Sequence, residues 1–207
     1  ITLGFSGPIA GELGMTRPGT YRKPSVAADY RVDVMFTHSK TKKQYKVPGY
    51  YAGNGDAANG GTNGNVWLVH FTPDETGVWN WQAEFMQGTN IAQNGGGDPA
   101  GFFNEVYGSF DVEETDKQGA DLRSKGRLEY VGEHYLKFAE TDEYFIKVGP
   151  DSPSNLLAYS EFDDTPNNGR YRKNYRNHQN DYVVGQPTWS KGRGRGLIGA
   201  INYLASK

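Results

Sequence analysis

Residues 78–86 read VWNWQAEFM, an alternation of apolar and polar side chains that is typical of a half-buried β-strand. The apolar members are Trp79, Trp81, Ala83 and Phe85, and the polar members are Asn80, Gln82 and Glu84. Because successive side chains of a strand point to opposite faces, the first set is predicted to face a core and the second to face water. The apolar face of such a strand must be covered by another layer of the fold.

The same period of two recurs on both sides of this segment. Further strands are predicted at residues 1–5, 29–37, 44–47, 65–71 and 106–112. They are separated by turns and not by helical patterns, and two stacked sheets would pair their apolar faces. We therefore expect an immunoglobulin-like β-sandwich over residues 1–112, without the cysteine pair of antibody domains because the chain has no Cys.

The remaining sequence changes character after residue 112. Residues 113–127 are polar and charged and are predicted to form a linker. Short strands at 128–131, 135–138 and 144–148 predict a β-meander, and a helix is predicted at 196–206 with Leu197, Ile198, Ile201 and Leu204 on one face. A strand, a long loop and a helix in this order begin a β/α unit, so residues 128–207 are predicted to start a truncated α/β domain.

Composition excludes several classes of protein. The 207 residues contain no cysteine and no apolar run near the ~20 residues that span a bilayer, which excludes disulfide scaffolds, cysteine nucleophiles and membrane helices. Residues 1–164 hold 14 basic and 23 acidic residues, whereas residues 165–207 hold 8 basic residues and one acidic residue. The basic segment suits an anionic glycan, a nucleic acid or an acidic surface of its own protein, and the last alternative is favoured.

Three stretches of sequence carry a resemblance to a known family. They are VPGYYAGNGDA at 47–57 with WLVHF at 67–71 and GVW at 77–79; KGRL at 125–128 with YFIKVGPDSPSN at 144–155; and WSKGRGRGLIGAINYLA at 189–205. Together they resemble bacterial apiosidase-like glycoside hydrolases, in which an N-terminal immunoglobulin-like domain precedes a (β/α)8 barrel. The resemblance runs nearly end to end, and the stretches follow the family's order.

The resemblance implies a non-catalytic, carbohydrate-associated N-terminal portion of an exported polysaccharide-degrading enzyme, which would be secreted or periplasmic. Residues 145–148 would form the first barrel strand and 196–205 its helix. The catalytic carboxylates of such barrels lie on later strands, so no catalytic residue is assigned and the chain alone is expected to be inactive. The substrate-binding rim after the first strand would include Asp151, Ser152, Asn155 and Glu161, although Asp151 and Ser152 equally suit a helix cap before Pro153.

Further candidates for glycan binding follow from side-chain chemistry. Tyr171, Arg172, Tyr175 and Trp189 lie in a segment that interleaves aromatic and basic residues, which stack on sugar rings and pair with anionic groups. Packing of this segment on the rest of a barrel is the alternative, and the acidic remainder of the chain argues against single-stranded nucleic acid. Tyr50 and Tyr51 are adjacent, so one of them must face outward as a possible sugar platform.

The sequence gives little reason to expect a cofactor. Glu161, Asp163 and Asp164 could supply oxygen ligands for calcium, but their spacing matches no calcium loop and a solvated turn is favoured. Residues 194–199 match G-x-G-x-x-G without a preceding strand and are interpreted as a glycine-rich helix start.

The expected partners are a polysaccharide or oligosaccharide and either the remainder of the barrel or another copy of the chain, with no nucleic acid and no membrane. The alternative function is a structural or adhesive sandwich that self-associates through residues 165–207.

Overall fold

The computed structural model describes residues 1–11, 26–119, 121–147, 156, 158–162, 165, 172–190 and 192–207. Over these residues the protein is mainly β and is built from several antiparallel sheets, with no closed barrel among them. Two compact units divide the chain, Ile1–Gly55 with Gly61–Lys147 and Asp56–Gly60 with Val148–Lys207. The predicted linker at 113–127 lies inside the first unit, so a domain boundary at that point stays a prediction.

The described strands belong to the first unit. In chain order they are β1 Thr2–Gly11, β2 Tyr30–His38, β3 Gln44–Pro48, β4 Tyr50–Tyr51, β5 Asn63–His70, β6 Gly77–Gln87, β7 Asp98–Pro99, β8 Tyr107–Val112, β9 Leu128–Tyr130, β10 Leu136–Phe138 and β11 Tyr144–Phe145. The unit also contains the short helix α1 Ile91–Asn94 and the 3-10 helices Val26–Asp29 and Leu122–Lys125. The second unit contains the 3-10 helices Ala57–Asn59 and Arg176–Asp181 and the helix α2 Arg195–Ala205.

Antiparallel pairing arranges these strands into three sheets. One sheet has the order β1–β5–β4, a second has the order β3–β2–β6–β7 with β8 also paired to β6, and the third is β9–β10–β11. The strands predicted from alternation in residues 1–112 are confirmed, since β6 covers the predicted 78–86 and β2 covers nearly all of the predicted 29–37.

The apolar faces of the first two sheets share one core. Its buried members include Val32, Val34 and Phe36 of β2, Trp67 and Val69 of β5, and Trp79, Ala83 and Phe85 of β6. Trp79 is 0% exposed, which confirms its predicted place in the core. Trp81 faces the same way but is half-buried, and its ring packs edge-on against Phe5 at a centroid distance of 5.8 Å. Two antiparallel sheets that enclose one aromatic-rich core form a sandwich.

The third sheet confirms the predicted meander. Leu136 of β10 pairs with Tyr130 on one side and with Phe145 on the other. Strand β11 is shorter than the predicted 144–148, and Val148 lies outside the described residues. Barrel strands are parallel to their neighbours, whereas β11 has an antiparallel partner. The structure therefore does not confirm this segment as a first barrel strand.

Helix α2 lies tightly against the 3-10 helix Arg176–Asp181, and glycines allow the approach. A Cβ atom on Gly196 would lie 2.7 Å from the Asn174 carbonyl oxygen, and one on Gly199 would lie 1.8 Å from the His178 carbonyl oxygen. Gly194, the N-cap, has a φ of 98° and lies against the Trp189 ring. The G-x-G-x-x-G pattern therefore serves close packing at a helix start.

The predicted apolar face of α2 is only partly buried. Leu197 and Ala200 are buried, and so are Gly196 and Gly199, which contact the 3-10 helix Arg176–Asp181. Ile201 is exposed, and Leu204 is 72% exposed. The buried face is thus formed by small residues and Leu197, while the second half of the predicted stripe faces away from the packed surface.

The buried carboxylate of Asp74 links the turn between β5 and β6 to other segments of the unit. The Asp74 side chain is 1% exposed, and its Oδ2 accepts hydrogen bonds from Lys43 Nζ at 2.6 Å, the Tyr45 hydroxyl and Arg127 Nη2 at 3.0 Å. The Arg127 guanidinium also lies 4.6 Å from the centroid of the Tyr45 ring. Burial alone would raise the pKa of Asp74, but the hydrogen bonds and the nearby cation outweigh it and lower that pKa to about 2. One side chain therefore joins the turn to β3 and to the segment before β9.

Replacing Asp74 should change the acid sensitivity of the fold. The pKa of Asp74 in the folded protein lies below the ordinary value of 3.8. The ionised side chain therefore stabilises the fold above pH 3.8, and this stabilisation is lost as the pH falls from 3.8 through about 2. We expect Asp74→Asn to lower the free energy of unfolding at neutral pH by roughly 2 kcal/mol. Urea unfolding of both proteins at a series of pH values should show this difference shrinking in acid, and a difference independent of pH would contradict the assignment.

Adding one methyl group to α2 should loosen its packing. In Gly199→Ala the new Cβ meets a backbone oxygen that cannot rotate away, so we expect a loss of roughly 3 kcal/mol in local stability. Hydrogen exchange of the α2 amides measures this loss. Gly4→Ala is the matched control, since its Cβ would lie an ordinary 3.5 Å from Leu68 Cδ2. Unchanged exchange in Gly199→Ala would mean that the helix does not pack as described.

Candidate functional site

Four of the predicted substrate-binding residues cannot be placed. Asp151, Ser152, Asn155 and Tyr171 lie outside the described residues, as do Asp163 and Asp164 of the predicted calcium cluster. Among the residues that the structure describes, no group of three or more His, Asp or Glu side chains is arranged to hold a metal ion. No helix in the same part of the chain is long and apolar enough to cross a membrane.

Glu161 is engaged within the second unit. Its Oε2 accepts hydrogen bonds from the Tyr159 hydroxyl and from the backbone N–H of Gly194, both at 2.6 Å. Burial, and then the bond to this carboxylate, raise the pKa of the Tyr159 hydroxyl above its usual range. Because Gly194 is the N-cap of α2, Glu161 supplies the negative charge that favours a helix start. These contacts give Glu161 a structural role, and its predicted part in substrate binding stays a prediction.

The other described candidates of this segment lie around the buried Tyr159. The Trp189 ring stacks on Phe162 at 5.6 Å and lies edge-on to Tyr159 at 6.0 Å, while its Nε1 donates to the Glu161 carbonyl oxygen at 2.9 Å. Tyr175 lies 5.7 Å from the Tyr159 ring. The exposed Arg172 donates to the carbonyl oxygen of Thr165. Trp189 and Tyr175 are half-buried, so their rings are partly used in packing.

Tyr50 and Tyr51 point to opposite faces, as their adjacency predicted. The Tyr51 ring packs against Trp67 at 5.3 Å, and its hydroxyl donates to the carbonyl oxygens of Ala10 and Gly64. Tyr50 is exposed, and its hydroxyl lies 2.9 Å from His70 Nε2. Of the pair, Tyr50 therefore presents the ring that a sugar could reach.

A groove not anticipated from the sequence crosses the outer face of the five-stranded sheet. Two hollows of about 440 and 430 Å³ lie side by side and share Met35 and Gln82 in their linings. The register places Gln82 of β6 between Met35 of β2 and Tyr107 of β8. One strand away, Lys46 of β3 pairs with Met35. The groove therefore runs across four neighbouring strands.

The end of this groove near β8 is uncharged. Its lining includes Thr37, Gln44, Asn80, Gln82 and Tyr107. The Tyr107 side chain is exposed over 80% of its surface, and Gln44 Nε2 donates to Thr37 Oγ1 at 3.3 Å. Amides and hydroxyls both donate and accept hydrogen bonds, and an open aromatic ring offers a flat apolar surface. This combination suits a neutral, hydroxyl-rich ligand.

The other end of the groove is charged but internally paired. Lys46 Nζ lies 3.4 Å from Asp33 Oδ2 and 3.2 Å from Glu84 Oε2, and Arg31 Nε donates to the same Asp33 oxygen at 2.7 Å. The bond to Glu84 is the main cause that raises the pKa of Lys46, ahead of the opposing effect of burial. Asp33 is nearly buried and lies opposite Glu84 in the strand register. Asp33 and Glu84 are therefore already held by cations of the protein, and Glu105 is the third carboxylate among the described residues that line this end.

The sequence predicted the outward direction of some of the residues that line this groove. The alternation in residues 78–86 placed Asn80, Gln82 and Glu84 on the solvent side, and the structure places them there. Tyr107 was missed because its position beside Gln82 depends on which residues of β6 and β8 pair. A tyrosine at an outward position beside two outward amides is the pattern that would have indicated it.

Comparison with known proteins gives limited matches. Residues 11–86 match the model of a family described as a domain of unknown function, DUF5060, which is little more than a third of the chain. The crystal structure of a "putative glycoside hydrolase" from Bacteroides vulgatus ATCC 8482 is similar over 76% of this chain, with 17% sequence identity and a TM-score of 0.42. The match spans only 24% of that protein's own chain. No curated protein matches the sequence.

Proposed function

We propose that this chain is a non-catalytic carbohydrate-binding module of an exported polysaccharide-degrading glycoside hydrolase. The observation that carries the proposal is the groove on the outer face of the five-stranded sheet, with Tyr107 exposed beside the amides of Gln82 and Asn80. In the same proposal the sandwich is immunoglobulin-like, the enzyme is apiosidase-like, and a barrel follows the described fold. The protein would act outside the cytoplasm, where polysaccharide is found.

The size of the groove favours a chain over a single sugar. Neighbouring strands lie about 4.8 Å apart, so four strands give a surface roughly 14 Å across, enough for an oligosaccharide stretch. A sugar ring has an apolar C–H face and a rim of hydroxyls, which correspond to the Tyr107 ring and to the amides beside it. The groove is open, and a glycan lying in it would keep its ends free.

The chemistry of the groove favours binding over hydrolysis. A glycosidase needs one carboxyl group that donates a proton and a second carboxylate placed across the sugar from it. Asp33 and Glu84 lie on paired residues of adjacent strands, and Lys46 holds both as ion pairs. Asp33 and Glu84 are therefore not a pair of separated carboxyl groups on either side of a sugar bond, and Glu105 is the one other carboxylate among the described residues that line the groove. Tyr50 remains a second proposed contact for glycan on the other sheet.

The groove is tested by removing its aromatic ring. We expect Tyr107→Ala to weaken binding to the polysaccharide that the wild type retains by roughly tenfold, because a stacked ring loses its contact surface. Affinity electrophoresis in gels containing xylan, arabinogalactan, pectin, laminarin or alginate identifies the polysaccharide and measures the change.

Tyr130→Ala is the matched control for this substitution. Tyr130 is a strand tyrosine of the same unit with a similar exposure of 76%, and it lies outside the groove. It should bind as the wild type does. Equal binding by wild type and Tyr107→Ala, or equal loss in both variants, would contradict a glycan site at the groove.

The alternative, a structural protein that self-associates through residues 165–207, is favoured by the exposed side of α2. Leu204 and Ile201 both present apolar surface there. A helix face of this kind would stabilise contact between copies. Light scattering separates the two functions: self-association predicts a multiple of the chain mass that falls to the single-chain mass in Leu204→Gln, whereas a binding module gives the single-chain mass in both proteins.

A further inference from the structure

The charged end of the groove carries an excess of negative charge. The described residues of its lining include three carboxylates, Asp33, Glu84 and Glu105, and the cation Lys46. Arg31 contributes a second cation through its bond to Asp33. Three carboxylates and two cations leave one formal negative charge. Among the described residues that line the other end, none is charged, so the groove as a whole is negative.

Glu105 is the carboxylate that accounts for this excess. Lys46 pairs with both Asp33 and Glu84, whereas no cation of the described residues forms an ion pair with Glu105. Its side chain is exposed, and within the same part of the chain its oxygens accept no hydrogen bond. The groove therefore contains a charged acceptor that a ligand can reach.

The backbone holds Glu105 in a conformation that is rare for a residue with a side chain. Its N–H donates to the Ala83 carbonyl oxygen at 2.8 Å, and the Ala83 N–H donates to the Val106 carbonyl oxygen at 2.8 Å. Two consecutive residues thus oppose one residue of β6, which is a β-bulge. Glu105 has a φ of 64°, in the left-handed region that glycine usually occupies at such a bulge. Bulges redirect side chains, and this one brings a carboxylate to the groove.

The segment before the bulge is anchored to the core. Phe103 is buried and stacks on Phe85 at 4.1 Å. Asn104 Oδ1 accepts a hydrogen bond from the Phe85 backbone N–H at 2.8 Å. Strained residues that are held in place by their surroundings cluster at binding sites. The strain at Glu105 therefore points to a function of its side chain and not to a need of the turn, which glycine would satisfy better.

We propose that Glu105 determines the specificity of the groove by accepting hydrogen bonds from a neutral polysaccharide and repelling polysaccharides that carry carboxylate or sulfate groups. Every neutral sugar supplies hydroxyl donors, which bond strongly to a carboxylate. A uronate or sulfate in the groove would instead meet a like charge, and Lys46 and Arg31 are already engaged by the other two carboxylates. The inference rests on the proposed function, because it assigns a substrate class to the same groove.

Isothermal titration with matched pairs of polysaccharides tests the proposal. Xylan and laminarin are each prepared in a hydroxyethylated form and a carboxymethylated form, which have similar bulk but differ in charge. At low salt the wild type should bind the hydroxyethylated form at least fivefold more tightly, because two like charges about 4 Å apart in water cost about that factor. The preference should shrink in about 1 M salt, where exposed charges are screened beyond about 3 Å.

Two substitutions at one position locate the preference. Glu105→Gln removes the charge, keeps the size of the side chain and should reduce the preference about fivefold. Glu105→Gly relieves the left-handed strain and is expected to fold, so it decides the test if Glu105→Gln does not fold. Glu114→Gln is the matched control, since Glu114 is an exposed carboxylate of the same unit outside the lining of the groove. It removes the same charge and should keep the wild-type preference.

The outcomes separate this inference from the proposed function. Equal binding of the two forms by the wild type, or a preference that persists in both Glu105 variants, would overturn the inference and leave glycan binding at the groove intact. An equal loss of preference in Glu114→Gln would also overturn it, because net charge and not Glu105 would then be the cause. No binding of any neutral or charged polysaccharide by the wild type would overturn both.

Discussion

The pairing of β6 on both of its edges is the constraint on which the rest of the first unit depends. Nine residues of β2 pair with it on one side and six residues of β8 on the other. With both edges occupied, the strand cannot slip without breaking two ladders, and a slip by one residue would exchange its faces. The fixed register therefore buries Trp79 and Phe85. Because side chains alternate along a strand, it also places Asn80 and Gln82 on the outer surface.

The core and the groove therefore lie on the two opposite faces of the five-stranded sheet. The inward residues fill the space between the sheets with aromatic rings, among them the stacked pair Phe85–Phe103 at 4.1 Å. A rigid core holds the backbone of β2, β6 and β8 in place, and this fixes the spacing of the outward side chains. A site built on strands is positioned more accurately than one built on loops. In the proposed function, the outer face therefore binds glycan without a rearrangement of the fold.

Much of this architecture could be predicted from the sequence, because alternation reports directly on burial. The strands of residues 1–112, the opposite directions of Tyr50 and Tyr51 and the buried Trp79 all follow from a period of two. What could not be predicted depends on contacts between distant residues. Glu161 was predicted to bind sugar, with calcium as a weaker possibility, and the sequence contained no sign of its contacts with Tyr159 and with Gly194, at a helix start 33 residues away. The position of Tyr107 in the groove depends on its pairing with Gln82, which the sequence does not reveal.

The buried Asp74 shows a second limit of prediction from the sequence. An Asp in the sequence TPDETG is typical of a tight turn, and a turn residue is ordinarily solvated. Here Lys43, Tyr45 and Arg127 converge on it from segments far apart in the chain. Long-range convergence of this kind leaves no local pattern, so this network was visible only in three dimensions.

The central claim, that the outer face of the five-stranded sheet binds glycan, is tested most directly by hydroxyl-radical footprinting with and without a retained polysaccharide. Met35 and Tyr107 both oxidise readily and both line the groove. The account predicts that the polysaccharide protects these two side chains and leaves Tyr130 as reactive as before. Protection confined to residues 172–190, or no protection of Met35 and Tyr107 at saturating polysaccharide, would contradict it.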